Sequence, residues 1–115
     1  MAFNELEKDQ LKFRMASLIE KIRPPEEIRN KLDIKFKIET NNVYIIEERE
    51  DWQDINKKMD FEIAKIAYIK KSNKWKIYWM KSDLKWHGYE PNLYVDKIDD
   101  AISIIKKDEL SCFWG

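Results

Sequence analysis

The stretch LDIKFKIETNNVYIIEE, residues 32–48, decides the fold. From Leu32 to Ile38 every second residue is apolar and the residues between them are charged, which predicts a half-buried strand. Residues 40–42, Thr-Asn-Asn, indicate a turn, because Asn tolerates the left-handed backbone region. Residues 43–48 are again rich in β-branched and aromatic side chains. They predict a returning strand, so the whole stretch forms an antiparallel hairpin.

Further strands are expected on the C-terminal side of this hairpin. Residues 51–60 are polar and show no alternation, so they predict a loop with at most one helical turn. Residues 61–70 predict the third strand and residues 75–80 the fourth, which is the most aromatic of all. Residues 83–89 predict either a short fifth strand or an ordered loop.

Helices are predicted at both ends of the chain. The first begins after Asn4, whose side chain can cap it, and Glu7 three residues later completes a capping-box pattern. The sequence Arg-Pro-Pro at 23–25 ends this helix, and a short second helix is predicted over 26–30. The last helix is predicted over 98–107, with acidic residues at its N-terminal end and an apolar stripe at helical spacing.

This order predicts an α+β fold in a single domain, residues 1–115. The connections between strands are short, and short connections join antiparallel strands, because a parallel pair needs a long crossover. We therefore expect a four- to five-stranded meander sheet with the N-terminal and C-terminal helices packed on one face. Trp75 and Trp79 are expected to point into the core between sheet and helices.

Composition excludes several classes of protein. The chain has 115 residues and balances 22 basic against 22 acidic side chains, so zero net charge gives no overall attraction to nucleic acid or to an anionic membrane. One cysteine excludes a disulfide scaffold, and the short apolar runs exclude a membrane span. The first residues lack the pattern of a signal peptide. These features favour a cytoplasmic protein without a membrane partner.

The charges are unevenly distributed along the chain. Residues 65–85 contain seven lysines and one aspartate, whereas residues 47–62 contain seven acidic and three basic side chains. Residues 90–109 are acidic as well. The lysines are either solvated side chains on strand faces or a basic surface for a phosphate-bearing or acidic partner.

The segment WHGYEP, residues 86–91, holds the densest group of chemically versatile side chains. His87 is the one histidine of the sequence, and Glu90 is close enough in sequence to act with it as an acid–base pair. Trp86 and Tyr89 offer flat, partly polar surfaces for a planar ligand or for a partner's side chain. The alternative is a packed aromatic corner without a ligand. The candidate binding residues are Trp86, His87, Tyr89, Glu90, Asp83 and Lys85.

Catalytic patterns in the sequence are sparse. Asp83 and Lys85 form an acid-x-Lys pair after a strand, and Glu62 could complete a magnesium-dependent nuclease site with them. Cys112 with His87 could form a thiolate–imidazole pair, but no orienting third residue is indicated. A structural zinc site needs four cysteine or histidine ligands, and the sequence has one of each. We therefore expect no metal, no cofactor and no catalytic residues.

Several stretches resemble a known family. They are residues 75–79 (WKIYW), 83–91 (DLKWHGYEP) and 112–115 (CFWG), together with Arg-Pro-Pro at 23–25 and Ile-Arg at 28–29. This pattern is similar to that of small, stand-alone bacterial proteins grouped as domain-of-unknown-function family 3024. The resemblance covers nearly the whole chain and implies a bacterial single-domain protein. It implies no activity, cofactor or site residue.

The sequence thus favours a non-enzymatic binding or interaction module. Its partner would be a protein or a small molecule bound by the aromatic and histidine-containing segment. Single-stranded nucleic acid is a second candidate partner, because aromatic side chains lie beside many lysines. A metal-dependent nuclease-like hydrolase is a third interpretation. The sequence fits either a monomer or a homodimer, and the aromatic tail of Phe113 and Trp114 is expected to pack on its own chain.

Overall fold

The structure is a computed structural model, and it describes residues 3–54 and 56–114. The chain begins with helix α1 (Glu5–Glu20). The Asn4 side chain accepts a hydrogen bond from the Glu7 backbone N–H at 2.8 Å, and the Asn4 backbone N–H donates to Glu7 Oε1 at 3.0 Å. The predicted capping box is therefore confirmed. One side of this helix is buried, and it carries Leu11, Met15, Leu18 and Ile19.

The connection from α1 to the sheet is held by an ion pair. A short 3₁₀ turn, Glu26–Ile28, lies where the sequence predicted a helix over 26–30. Arg23 donates from Nε and from one terminal nitrogen to the two carboxylate oxygens of Asp33, both at 2.9 Å. This two-pronged contact fixes the connection against the first strand.

Four strands follow one another in a meander: β1 (Leu32–Glu39), β2 (Asn42–Glu50), β3 (Lys58–Ile69) and β4 (Lys74–Met80). Each pairs antiparallel with the next, which confirms the hairpin and the sheet order. The prediction of a loop through Asp60 is wrong for its last three residues. They belong to β3 because the far end of β2 continues to pair with them.

Two short strands, β5 (Trp86–Gly88) and β6 (Tyr94–Val95), share the remaining edge of β4. A 3₁₀ turn separates them, and backbone hydrogen bonds bridge the gap. Ile77 donates its N–H to the Leu93 carbonyl at 3.0 Å and accepts from the Tyr89 N–H at 2.8 Å. Over the described residues the sheet therefore has six strands, where four to five were predicted, because the fifth position is divided between two.

Helix α2 (Ile98–Lys107) closes the fold, and the tail after it folds back. Asp108 adopts a left-handed backbone conformation, with φ of 44°. Its carboxylate accepts hydrogen bonds from the backbone N–H groups of Phe113 at 3.0 Å and Trp114 at 2.9 Å. The expected packing of the tail on its own chain is confirmed, while Gly115 lies outside the described residues. Within the described residues, no helix is long and apolar enough to cross a membrane.

The two helices cover one face of the sheet, which we call the inner face; the opposite side is the outer face. Trp75 is buried in the core between the inner face and the helices, and Trp79 packs partly against it, as predicted. The core joins residues of α1, β2, β3, β4, α2 and the tail in one cluster. Its fully buried side chains include Met15, Val43, Ile45, Ile66, Ile77 and Ile105.

Candidate functional site

The segment predicted as the binding site does not form one cluster. Trp86 pairs with Met80, and His87 pairs with Trp79 on the neighbouring strand. Because successive strand residues point to opposite faces, Trp86 lies on the outer face and His87 on the inner face with Trp79. Trp86 and His87 therefore do not share a face, and binding by the six candidate residues stays a prediction.

His87 interacts with Asp83 rather than with Glu90. Its Nε2 lies 2.9 Å from Asp83 Oδ2, and the other carboxylate oxygen of Asp83 accepts from the Lys85 backbone N–H at 2.9 Å. The hydrogen bond with His87 is the main reason why the pKa of Asp83 is lowered. This arrangement stabilises the turn between β4 and β5. The expected His87–Glu90 acid–base pair is absent from the described residues.

Tyr89 belongs to the core. It is buried, and its ring centre lies 5.0 Å from that of Phe113. Burial is the main reason why its pKa is raised. Lys85, before Tyr89 in the sequence, and Glu90, directly after it, are both exposed. Of the six candidate residues, Trp86 is thus the one whose ring is presented on the outer face.

The catalytic alternatives gain no support from the geometry. Among the described residues, no three His, Cys, Asp or Glu side chains are grouped so that they could hold a metal ion. Cys112 Sγ lies 3.9 Å from the Leu110 carbonyl, and burial raises the pKa of its thiol. That shift is the opposite of the lowered pKa that an activated thiolate needs. The contact between Cys112 and His87, which the sequence allowed but did not favour, is not found in the described part of the chain.

The outer face carries a group of aromatic and lysine side chains. The sequence indicated aromatic residues beside lysines in this part of the chain, but not which of them share a face. Tyr44 pairs with Lys65, Lys65 with Tyr78, and Lys76 with Tyr94 on adjacent strands. Directly paired residues point to the same side of a sheet. These side chains therefore form one surface. We call it the lysine–aromatic surface, and its members are Tyr44, Lys65, Lys76, Tyr78, Trp86 and Tyr94.

Two lysines of this surface contact rings instead of carboxylates. Lys65 Nζ lies 4.8 Å from the centre of the Tyr78 ring. Lys76 Nζ lies 4.9 Å from the same ring and 5.9 Å from the ring of Tyr94. Neither ammonium has a carboxylate partner within the part of the chain that the structure describes. Both lysines are partly buried, where a cation–π contact contributes about 0.5–2 kcal/mol.

The rest of the outer face is neutralised by ion pairs. Lys35 contacts Glu48 at 2.9 Å and Asp60 at 3.0 Å. Lys37 contacts Glu62 at 3.0 Å, and its Nζ also lies 5.1 Å from the Tyr44 ring. The ion-paired part of the outer face therefore spans β1, β2 and the first part of β3, through Glu62. The two lysines that contact rings lie beyond it, Lys65 farther along β3 and Lys76 on β4.

The aromatic rings of the surface remain flat, neutral platforms. The rings of Tyr44 and Trp86 lean toward each other, with their centres 6.0 Å apart. Burial raises the pKa of Tyr44, and the nearby carboxylates of Glu39 and Glu62 raise it further, so its phenol stays protonated at neutral pH. Tyr94 is 50 % exposed and lies at the edge. The surface thus combines stacking platforms with available cations.

The sequence carries a signal for this surface, but the signal can be interpreted only when the pairing register of the strands is known. Tyr44, Lys65 and Tyr78 each occupy alternate positions of predicted strands, and alternation alone places each on one face of its own strand. Which faces coincide depends on pairing. The register of β2 with β3 shifts at an irregularity between Ile45 and Ile46, and a shift of one residue exchanges the faces.

Fold and surface together define a small α+β sheet protein with one face covered by helices and one lysine–aromatic face. A family model described as "Domain of unknown function (DUF3024)" matches residues 3–115. The chain therefore belongs to this family, as its resemblance indicated. No curated protein and no solved structure matches the chain.

Proposed function

We propose that the protein is a non-enzymatic binding module, and that its lysine–aromatic surface binds single-stranded nucleic acid. The observation that carries this proposal is the contact of Lys65 and Lys76 with tyrosine rings on an open sheet face. A cytoplasmic location, which the lone Cys112 favours, and a bacterial origin, which the family resemblance implies, are part of the same proposal.

Stacking would supply sequence-tolerant affinity. Every nucleobase has a flat π face, and stacking on an aromatic side chain is worth about 1–3 kcal/mol per base. The rings of Tyr78, Trp86 and Tyr94 lie on three strands that border one another. Sheet faces of this kind hold two or three bases in other single-strand binding proteins. We expect the same short footprint here.

Phosphate contacts would come from Lys65 and Lys76. Each can exchange its contact with a ring for a phosphate oxygen without breaking an ion pair, because neither forms one with a described residue. Glu90 acts on the charge of Lys76 only from a longer distance. The ion-paired half of the outer face limits the path of the strand, since Glu48, Asp60 and Glu62 would repel phosphate. Binding is therefore expected along β4, β5, β6 and the part of β3 from Lys65 onward, and not across the whole sheet.

The number of lysines that contact phosphate determines how steeply the affinity for nucleic acid falls with salt. For single strands, log K falls with log salt at about 0.7 per phosphate neutralised. Two lysines give a slope of about −1.4, so the affinity should fall about sevenfold between roughly 50 mM and 200 mM salt. A much steeper slope would mean that lysines outside the proposed surface bind phosphate.

The experiment is a fluorescence-anisotropy titration of labelled oligo(dT) and oligo(rU) with the protein. The test variant replaces Lys65 and Lys76 by Gln. The control variant replaces Lys106 and Lys107 by Gln; these exposed lysines end α2 and change the net charge equally. We expect the test variant to lose at least about tenfold in affinity and the control to stay within about twofold. Equal losses, or no saturable binding by the unaltered protein, would overturn the proposal.

A further inference from the structure

A groove lies on the inner side of the sheet, at the end where β1 begins and β2 ends. Its volume is about 520 Å³, within the range of roughly 300–1,000 Å³ that small-molecule sites occupy. The groove is separate from the lysine–aromatic surface, and the inference below does not depend on nucleic-acid binding. Its apolar wall combines the α1–β1 connection, β1 and the tail, through Ile22, Pro24, Leu32, Ile34 and Trp114.

A buried carboxylate lines this groove. Glu47 continues the inner-face alternation of Val43 and Ile45 on β2, where an apolar residue would be expected, and it is 5 % exposed. A buried carboxylate is costly unless its oxygens are paired. Here Glu47 Oε1 accepts a hydrogen bond from Arg49 Nε.

The second oxygen of Glu47 is open to a ligand. Oε2 accepts no hydrogen bond from any described residue, as Arg49 binds the other oxygen. No fully buried polar side-chain atom of the described residues lacks a partner, so Oε2 is not fully buried, and Glu47 lines the groove. A hydrogen-bond donor in the groove would complete the pairing of this carboxylate.

Arg49 provides a complementary positive group. Its guanidinium lies over the Phe61 ring, 5.5 Å from the ring centre. Within residues 3–54 and 56–114, its terminal nitrogens have no acceptor, because the bond to Glu47 uses Nε alone. Lys31 and Glu50, which also line the groove, carry opposite charges. The lining of the groove therefore has no net charge. It places a carboxylate oxygen without a hydrogen bond, Glu47 Oε2, beside the guanidinium nitrogens of Arg49 that have no acceptor.

The aromatic wall of the groove is firmly positioned. The Trp114 indole N–H donates to the Ile105 carbonyl at 2.8 Å, and the Trp114 backbone N–H donates to Asp108 at 2.9 Å. An apolar ligand group can therefore pack against a ring whose position is set before binding, which lowers the entropy cost of binding.

We propose that this groove binds a free α-amino acid with an apolar side chain. The ligand's ammonium donates to Glu47 Oε2, its carboxylate accepts from the terminal nitrogens of Arg49, and its side chain packs between Leu32 and Trp114. A zwitterion satisfies both unused groups and leaves the groove uncharged. A simple amine or a simple carboxylic acid satisfies only one of them.

The test follows the NMR signal of the Trp114 indole N–H, which reports on the groove directly. The probes are phenylalanine, which carries both charges, phenethylamine, which carries the ammonium alone, and 3-phenylpropionate, which carries the carboxylate alone. We expect phenylalanine to shift the signal saturably at concentrations up to roughly 10 mM, and each half-molecule to bind at least about tenfold more weakly. Equal binding of a half-molecule, or no shift with phenylalanine, would overturn the proposal.

Two variants locate the site. Glu47→Gln should weaken phenylalanine binding at least about tenfold. Its matched control is Glu48→Gln, which changes the neighbouring carboxylate on the outer face and should bind normally. Leu32→Trp fills the groove without changing any charge, so it tests the site even where Glu47→Gln disturbs folding. Unchanged binding by the folded Glu47→Gln or Leu32→Trp variant would refute the assignment.

Discussion

Replacing Phe113 by Ala should destabilise the protein strongly, although the residue lies near the end of the chain. Its side chain is 5 % exposed and packs in the core with its ring 5.0 Å from that of Tyr89. Truncating a buried phenylalanine to alanine removes apolar contacts and leaves a cavity, at a cost of about 3–5 kcal/mol. We expect about 3 kcal/mol, because the site lies where the tail meets the surface and can partly collapse.

The assay is thermal and urea unfolding followed by circular dichroism. For a domain of this size, about 3 kcal/mol corresponds to a fall in Tm of about 10–15 °C. Leu110→Ala is the matched control, since Leu110 is in the same tail but 61 % exposed. It should change stability by no more than about 0.5 kcal/mol. Equal melting temperatures for the Phe113→Ala and Leu110→Ala variants would refute the account of the tail as a part of the core.

Two further changes test other contacts. Asn4→Ala removes the capping box of α1, which should cost about 1 kcal/mol in urea unfolding; an unchanged midpoint would show that the cap contributes nothing. The hydrogen bond from Arg23 is the main reason why the pKa of Asp33 is lowered. Its stabilisation is fully present above the unfolded pKa of about 3.9 and is lost as the pH falls through the lower folded pKa. Stability measured between about pH 4 and pH 2 should therefore fall less steeply in Arg23→Gln than in the unaltered protein, and parallel curves would contradict this role of the pair.

The fold could be predicted because its elements carry local signals. Alternation from Leu32 to Ile38, the capping pattern at Asn4 and the short connections each depend on a few neighbouring residues. The division of the fifth position into β5 and β6 had no such signal. Strands of two or three residues are too short for a periodic pattern, and their place is set by pairing with β4.

The lysine–aromatic surface could not be outlined from the sequence because it depends on contacts between strands. Trp86 and His87 are adjacent in sequence but lie on opposite faces of the sheet. In contrast, Tyr44 and Trp86 are far apart in sequence, but the centres of their rings lie 6.0 Å apart. Period-two alternation argues against grouping neighbouring strand residues in one site. Only the register shows which distant residues share a face.

The most direct test of nucleic-acid binding at the outer face is NMR chemical-shift mapping with a short single-stranded oligonucleotide. We expect saturable shifts in the side-chain signals of Tyr78, Trp86 and Tyr94, and none in the signals of Trp79 and His87 on the inner face. Shifts confined to the inner face, or no shifts at low salt, would contradict the claim that the lysine–aromatic surface binds nucleic acid.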